Sequence, residues 1–318
     1  MTSCCGIGAL SALSIGQSGG TLSRMDFIEF TPTKIIKTLS DGSRNTIRGT
    51  FAHNSISATE GLAFVEFRVS MYMTAAKMDI LLPLMGLIET PTDTFTIATT
   101  SANIATATAI EAKVIVTPNG GKDHTFDNAK VARWVIHGRK GTDPVRIDID
   151  FVAKSWAEAA SGTYTHGTIV EGYPYGFTQG SMTLEGATRY FNQVRLGMDY
   201  GLLVESNNSI YPTNLCWSDY NLNFGTGVLL SVCDSTTDLY TVPMTSATAA
   251  TGSQLTLGWT RTVGAATYST SFVVGNVKLL PRFPGIKKND FNRLPVFGTG
   301  FEVTGGAGLL VCTNDASA

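Results

Sequence analysis

Hydrophobic and polar residues alternate along several stretches of this chain. Residues 65–73 place Val65, Phe67, Val69, Met71 and Met73 on one face and Glu66, Arg68, Ser70 and Tyr72 on the other. That period of two predicts a strand with one buried face. The pattern then changes. Thr74 stands where a helix N-cap belongs, Met78, Leu81, Leu82 and Met85 fit one helical face, and Pro83 and Gly86 limit the helix. Residues 110–117 read as another strand, closed by the turn signal Pro118-Asn119-Gly120-Gly121. A strand pair follows at 126–136 and 145–151. In the second of these Val145, Ile147, Ile149 and Phe151 alternate with Arg146, Asp148 and Asp150, so an acidic row is expected to face solvent or a lumen.

The later part of the chain repeats this order. Strands are expected at 181–186, with a hairpin turn at Glu185-Gly186, and at 190–196. The run 220–224, continued at 228–233, leads into a short helical stretch at 234–240, as 65–73 leads into its helix. A second strand pair, 272–280 and 291–301, answers the first. Strand, short helix, strand, turn, strand recurs at a roughly constant offset, the signature of an internal repeat. The division that follows is an arm at 1–23, a first copy at 24–156, a linker at 157–172, a second copy at 173–304 and a tail at 305–318. The polar, turn-rich loop 39–59 carries Arg44 and Arg48, candidates for contacts between subunits.

Composition narrows the functional classes. Charged residues are 15% of 318, against roughly 25% in an average globular protein. A surface so poor in charge suits burial against other subunits. The net charge of −2 carries no basic footprint for tight nucleic-acid binding and no polybasic membrane patch. No run approaches the roughly 20 apolar residues of a membrane span, and the N-terminus lacks the basic region of a secretory signal. The five cysteines, Cys4, Cys5, Cys216, Cys233 and Cys312, match no metal spacing and read as reduced thiols.

Catalytic motifs are weak. Gly16-Gln17-Ser18-Gly19-Gly20 has the form of a nucleophile elbow, but such an elbow needs a strand before it and a helix after it, and neither is expected there. Gly6-Ile7-Gly8 and Gly120-Gly121-Lys122 fail the dinucleotide and phosphate-loop patterns. His53, His124, His137 and His166 share no ligand spacing. Asp148 and Asp150 lie on one strand face, whereas paired catalytic carboxylates come from opposite sides of a cleft. Trp134, Trp156, Trp217 and Trp259 are scattered, which suits packing rather than base stacking. No catalytic, cofactor-binding or metal-binding residue is expected, no cofactor, and no enzymatic activity.

Residues 78–83 (MDILLP), with 126–131 (FDNAKV) and 144–151, resemble the tail tube proteins of long-tailed bacteriophages. Residues 175–184 (YGFTQGSMTL) resemble the opening of the second domain in members with a duplicated fold, and 234–240 falls where such a domain has its helix. The resemblance covers most of 24–304. It implies a mainly β protein of two tandem β-sandwich or barrel-like tail-tube domains, each with a short flanking α-helix. It also implies a structural virion protein whose copies pair sheet edges into rings, three duplicated chains closing a pseudo-hexameric ring. The rings stack into a tube through which DNA passes on ejection into the host. The implied partners are further copies of the chain, the tape measure, tail terminator and distal tail proteins, and DNA in transit, with no membrane. Synthesis would be in the host bacterial cytoplasm. The polar face of one or more of the strands 64–73, 145–151 and 219–232 is expected at the lumen, which should be neutral to acidic. Another tail or capsid-associated protein, or a secretion-system tube protein, is the alternative.

Overall fold

A computed structural model describes residues 10–41, 58–90, 92–97, 106–107, 109–141, 144–184, 186–206, 212–229, 253–281, 293–300 and 309–316. The protein is mainly β. The first part of the chain forms β1 (Ala12–Gln17), β2 (Ser23–Met25), β3 (Glu29–Asp41), β4 (Ala58–Tyr72), α1 (Ala75–Leu84), β5 (Leu87–Glu89), β6 (Thr94–Ile97), β7 (Ala112–Thr117), β8 (Asp123–Arg139) and β9 (Arg146–Ala159). The second forms β10 (Gly180–Leu184), β11 (Ala187–Thr188), β12 (Phe191–Asp199), β13 (Leu202–Glu205), β14 (Asn214–Trp217), β15 (Asn221–Leu229), β16 (Ser253–Val263), β17 (Ala266–Pro281), β18 (Arg293–Gly300) and β19 (Val311–Asp315).

Local chemistry sets the elements where the pattern was strong. In β4, Val65, Phe67, Val69 and Met71 are buried, as the alternation requires. The Thr74 hydroxyl accepts the Lys77 amide and caps α1. The helix stops at Gly86, whose φ of +78° few side chains tolerate and whose Cβ position is already filled by the Trp217 ring at 2.8 Å. Gly120 (φ +72°) and the Gly121 amide bonded to the Pro118 carbonyl close the β7–β8 turn. Gly186 (φ +71°) turns β10 into β11. The helix expected at 234–240 and the loop with Arg44 and Arg48 lie outside the described residues.

Strand pairing follows one order twice. In the first part the neighbours run β2–β1–β7–β8–β9–β4–β3, all antiparallel. In the second they run β11–β10–β16–β17–β18–β15–β12, again all antiparallel. A register shift recurs as well, at Ala112/Val114 against β8 and at Ser253/Leu255 against β17. The two series merge into one sheet because β8 pairs with β12, from Gln193 opposite Arg139 to Asp199 opposite Arg133. They meet again where β19 pairs with both β17 and β6. The core is likewise continuous. Trp134 packs 6.3 Å from Phe272, and its indole donates 2.8 Å to the buried Tyr200 hydroxyl, which donates to the Met85 carbonyl.

Three expectations need correction. The expected arm 1–23 contains β1, whose Leu13 and Ile15 are fully buried between β2 and β7. The expected tail 305–318 contains β19, with Leu309, Leu310 and Cys312 in the core. Both segments are short and rich in small residues, so their apolar positions are too few to show a period. The linker 157–172 begins inside β9 and is then stitched to the first series. His166 bridges the Ser14 and Thr117 hydroxyls at 2.8 and 2.7 Å, the Tyr164 amide donates to Asp123, and the Val170 amide donates to the Arg24 carbonyl.

Candidate functional site

The strand order β3–β4–β9–β8–β12–β15–β18 gives the central sheet two chemically different faces. One is core, with Val69, Ile149, Trp134, Met198 and Leu222 in register across five strands. The other carries polar rows. Arg68, Asp150, Arg133, Asp199 and Asn221 form one; Tyr72, Arg146, His137, Arg195, Gly225 and Phe297 form another. A groove of about 1200 Å³ lies over this face, centred on the β8–β12 pairing. The three candidate lumen-facing segments, in β4, β9 and β15, present their polar residues on the same side of one sheet.

Asp148 and Asp150 do not form the expected acidic row. Arg68 holds Asp150 with two hydrogen bonds of 2.6 and 3.0 Å, and Arg133 reaches the same carboxylate at 3.0 Å. That hydrogen bond raises the Arg68 pKa above its ordinary value. Asp148 meets Arg146 at 2.8 Å and His137 at 3.0 Å. Burial alone would push the Asp148 carboxyl up, but hydrogen bonds from His137, Ser70 and Arg146 outweigh it and hold it well below the usual carboxylate range. Arg68 and Arg133 come from neighbouring strands, so β9 read alone showed Asp150 without its partners.

The cations are unevenly shared. Arg133 and Arg146 are matched by Asp150 and Asp148. Arg139, Lys140 and Arg195, also lining the groove, are exposed and pair with no carboxylate among the described residues. Reading the sequence strand by strand missed this set, although Arg133, His137 and Arg139 alternate with apolar residues in β8 and mark its outward face.

The remaining candidates separate. Contrary to expectation, a strand does precede Ser18, but β2 rather than a helix follows it. The Ser18 hydroxyl donates to Asp127 at 2.7 Å and to the Asn128 side-chain carbonyl at 3.1 Å, which ties the β1 turn to β8. His124 stacks on Trp156, while His137 and His166 make the bonds above. His53, Cys4, Cys5, Cys233 and the 6–8 segment lie outside the described residues. Cys216 is exposed and Cys312 buried, both free, and burial pushes the Cys312 thiol far up. Among the described residues no group of His, Cys, Asp and Glu could hold a metal ion, and no helix is long and apolar enough to cross a membrane. No protein-family model matches the chain, and no curated protein matches it.

Proposed function

We propose that the chain is a structural protein of a bacteriophage virion, which self-assembles into stacked rings forming the tail tube, the conduit for DNA ejection. One observation carries this reading. Two runs of strands with the same order of pairing are joined where β12, the outer strand of the second run, pairs with residues 133–139 of β8, the stretch that extends past β7. Strand pairing between equivalent sheets is the contact that a ring repeats. One chain can make it once. The counterpart of β12 in the first run is β3, and β3 pairs only with β4 among the described strands. An unpaired edge is a template for another strand, and closure of a ring removes it.

On this reading the two runs are tandem tail-tube domains of β-sandwich type, and three chains close a pseudo-hexameric ring. The polar face of the central sheet lines the channel. Asp148 and Asp150 are matched by arginines, so that part of the face neither attracts nor repels phosphate strongly. Tape measure, tail terminator and distal tail proteins would be the neighbours in the virion. Negative-stain electron microscopy of the purified chain tests the proposal. Uniform tubes with an axial channel are expected; a monodisperse monomer at all concentrations would overturn it.

A further inference from the structure

We propose that the end of the groove marked by Arg139, Lys140 and Arg195 binds the phosphate backbone of duplex nucleic acid, without regard to base sequence. The inference deepens the conduit reading and rests on it for the choice of nucleic acid over other polyanions. Five cations line the groove: Arg133, Arg139, Lys140, Arg146 and Arg195. Arg133 and Arg146 are spent on Asp150 and Asp148, and the one carboxylate lining the groove, Asp199, lies opposite Arg133, at the other end of the β8–β12 pairing from Arg139. The other three cations remain uncompensated at one end.

Their placement follows from register. Arg139 lies opposite Gln193 and Arg195 opposite His137, so Arg139 and Arg195 are diagonal neighbours across the β8–β12 pairing, roughly 7–8 Å apart in the backbone. Lys140 follows directly, held by its amide bond to the Asn192 carbonyl. Beside Arg195, Gly225 leaves the floor of the groove without a side chain. Gln193 and Asn223 are exposed neutral polar groups in the same surface. Charge on an open floor, without a cluster of exposed aromatic rings, suits a backbone of phosphates rather than unstacked bases.

Fluorescence anisotropy of a short labelled DNA duplex with the full chain, across a salt series, measures the contact. Each phosphate contact gives a slope of about −0.9 in log affinity against log salt, so three cations give about −3. Arg139→Ala/Lys140→Ala/Arg195→Ala should weaken binding at low salt at least about tenfold and flatten the slope. Lys113→Ala/Lys122→Ala, removing cations elsewhere, should change neither. Unchanged binding by the folded triple variant overturns the proposal, as does displacement of the duplex by poly-glutamate more readily than by unlabelled duplex. Microscopy of the same samples separates the two readings. Tubes without duplex binding overturn this inference alone, whereas binding that depends on the three residues, without tubes, supports the groove and removes the conduit.

Discussion

β9 and β18 occupy the same place in their two runs, yet they present different surfaces. β9 turns Arg146, Asp148 and Asp150 outward: Asp150 pairs with Arg68 of β4 and Arg133 of β8, and Asp148 pairs with His137 of β8 and with Arg146 of its own strand. β18 offers Phe297 and Thr299 at the positions facing Gly225 and Asn223 of β15. The order of pairing is the same while the outward chemistry has diverged. Backbone ladders and the inward face set this sheet; outward residues can change without breaking either.

The largest expected contrast lies in the inward face. Trp134 and Trp259 are both fully buried, but only Trp134 has a partner for its indole nitrogen. Trp134→Ala should cost about 3–5 kcal/mol in urea unfolding, from the cavity and the lost packing at the joint. Trp134→Phe should cost more than Trp259→Phe by about 1–3 kcal/mol. The first strips Tyr200 of its donor, and the second removes an unpaired buried donor. Equal costs would mean that the joint is no more specified than the rest of the core.

Acid should discriminate next. The Asp148 carboxyl titrates below its unfolded value of roughly 3.9. Its contribution to stability is therefore complete above that value and is lost as pH falls from there toward the folded value. Wild type should lose its stability advantage over Asp148→Asn across that window; a constant difference from pH 5 downward would show that the carboxylate is not coupled to folding. The smallest effect is expected from the outermost charges. Asp150→Asn should cost about 1 kcal/mol or less, because its partners Arg68 and Arg133 are well exposed. Thr299→Ala, in the neutral half of the face, should be indistinguishable from wild type in the same unfolding curves.

The sequence made plain those elements whose own residues declare them. β4, β9 and α1 combine a buried stripe, a polar stripe and a cap, and each stands where its pattern places it. β1 and β19 escaped because five or six residues with buried Ser14 and Asn314 among them show no clean period. Their polar side chains are satisfied by remote groups: His166 for Ser14; Thr270 and the Ala75 carbonyl for Asn314. The polar face was half legible. Its acids showed in β9, but Arg68 and Arg133, which hold Asp150, lie in other strands, and periodicity carries no information about which strands become neighbours.

The pairing of β19 with β6 sets a schedule for synthesis. β6 emerges from the ribosome early, while its outer partner is the last of the described strands to be made. Roughly 200 residues separate them, so at roughly 5–20 residues per second the edge of β6 waits on the order of 10–40 s for its neighbour. Until then the β5–β6 hairpin has an open side, and so has the first part of β17. The sheet is therefore completed only once translation has passed Asp315, long after its first strands are made.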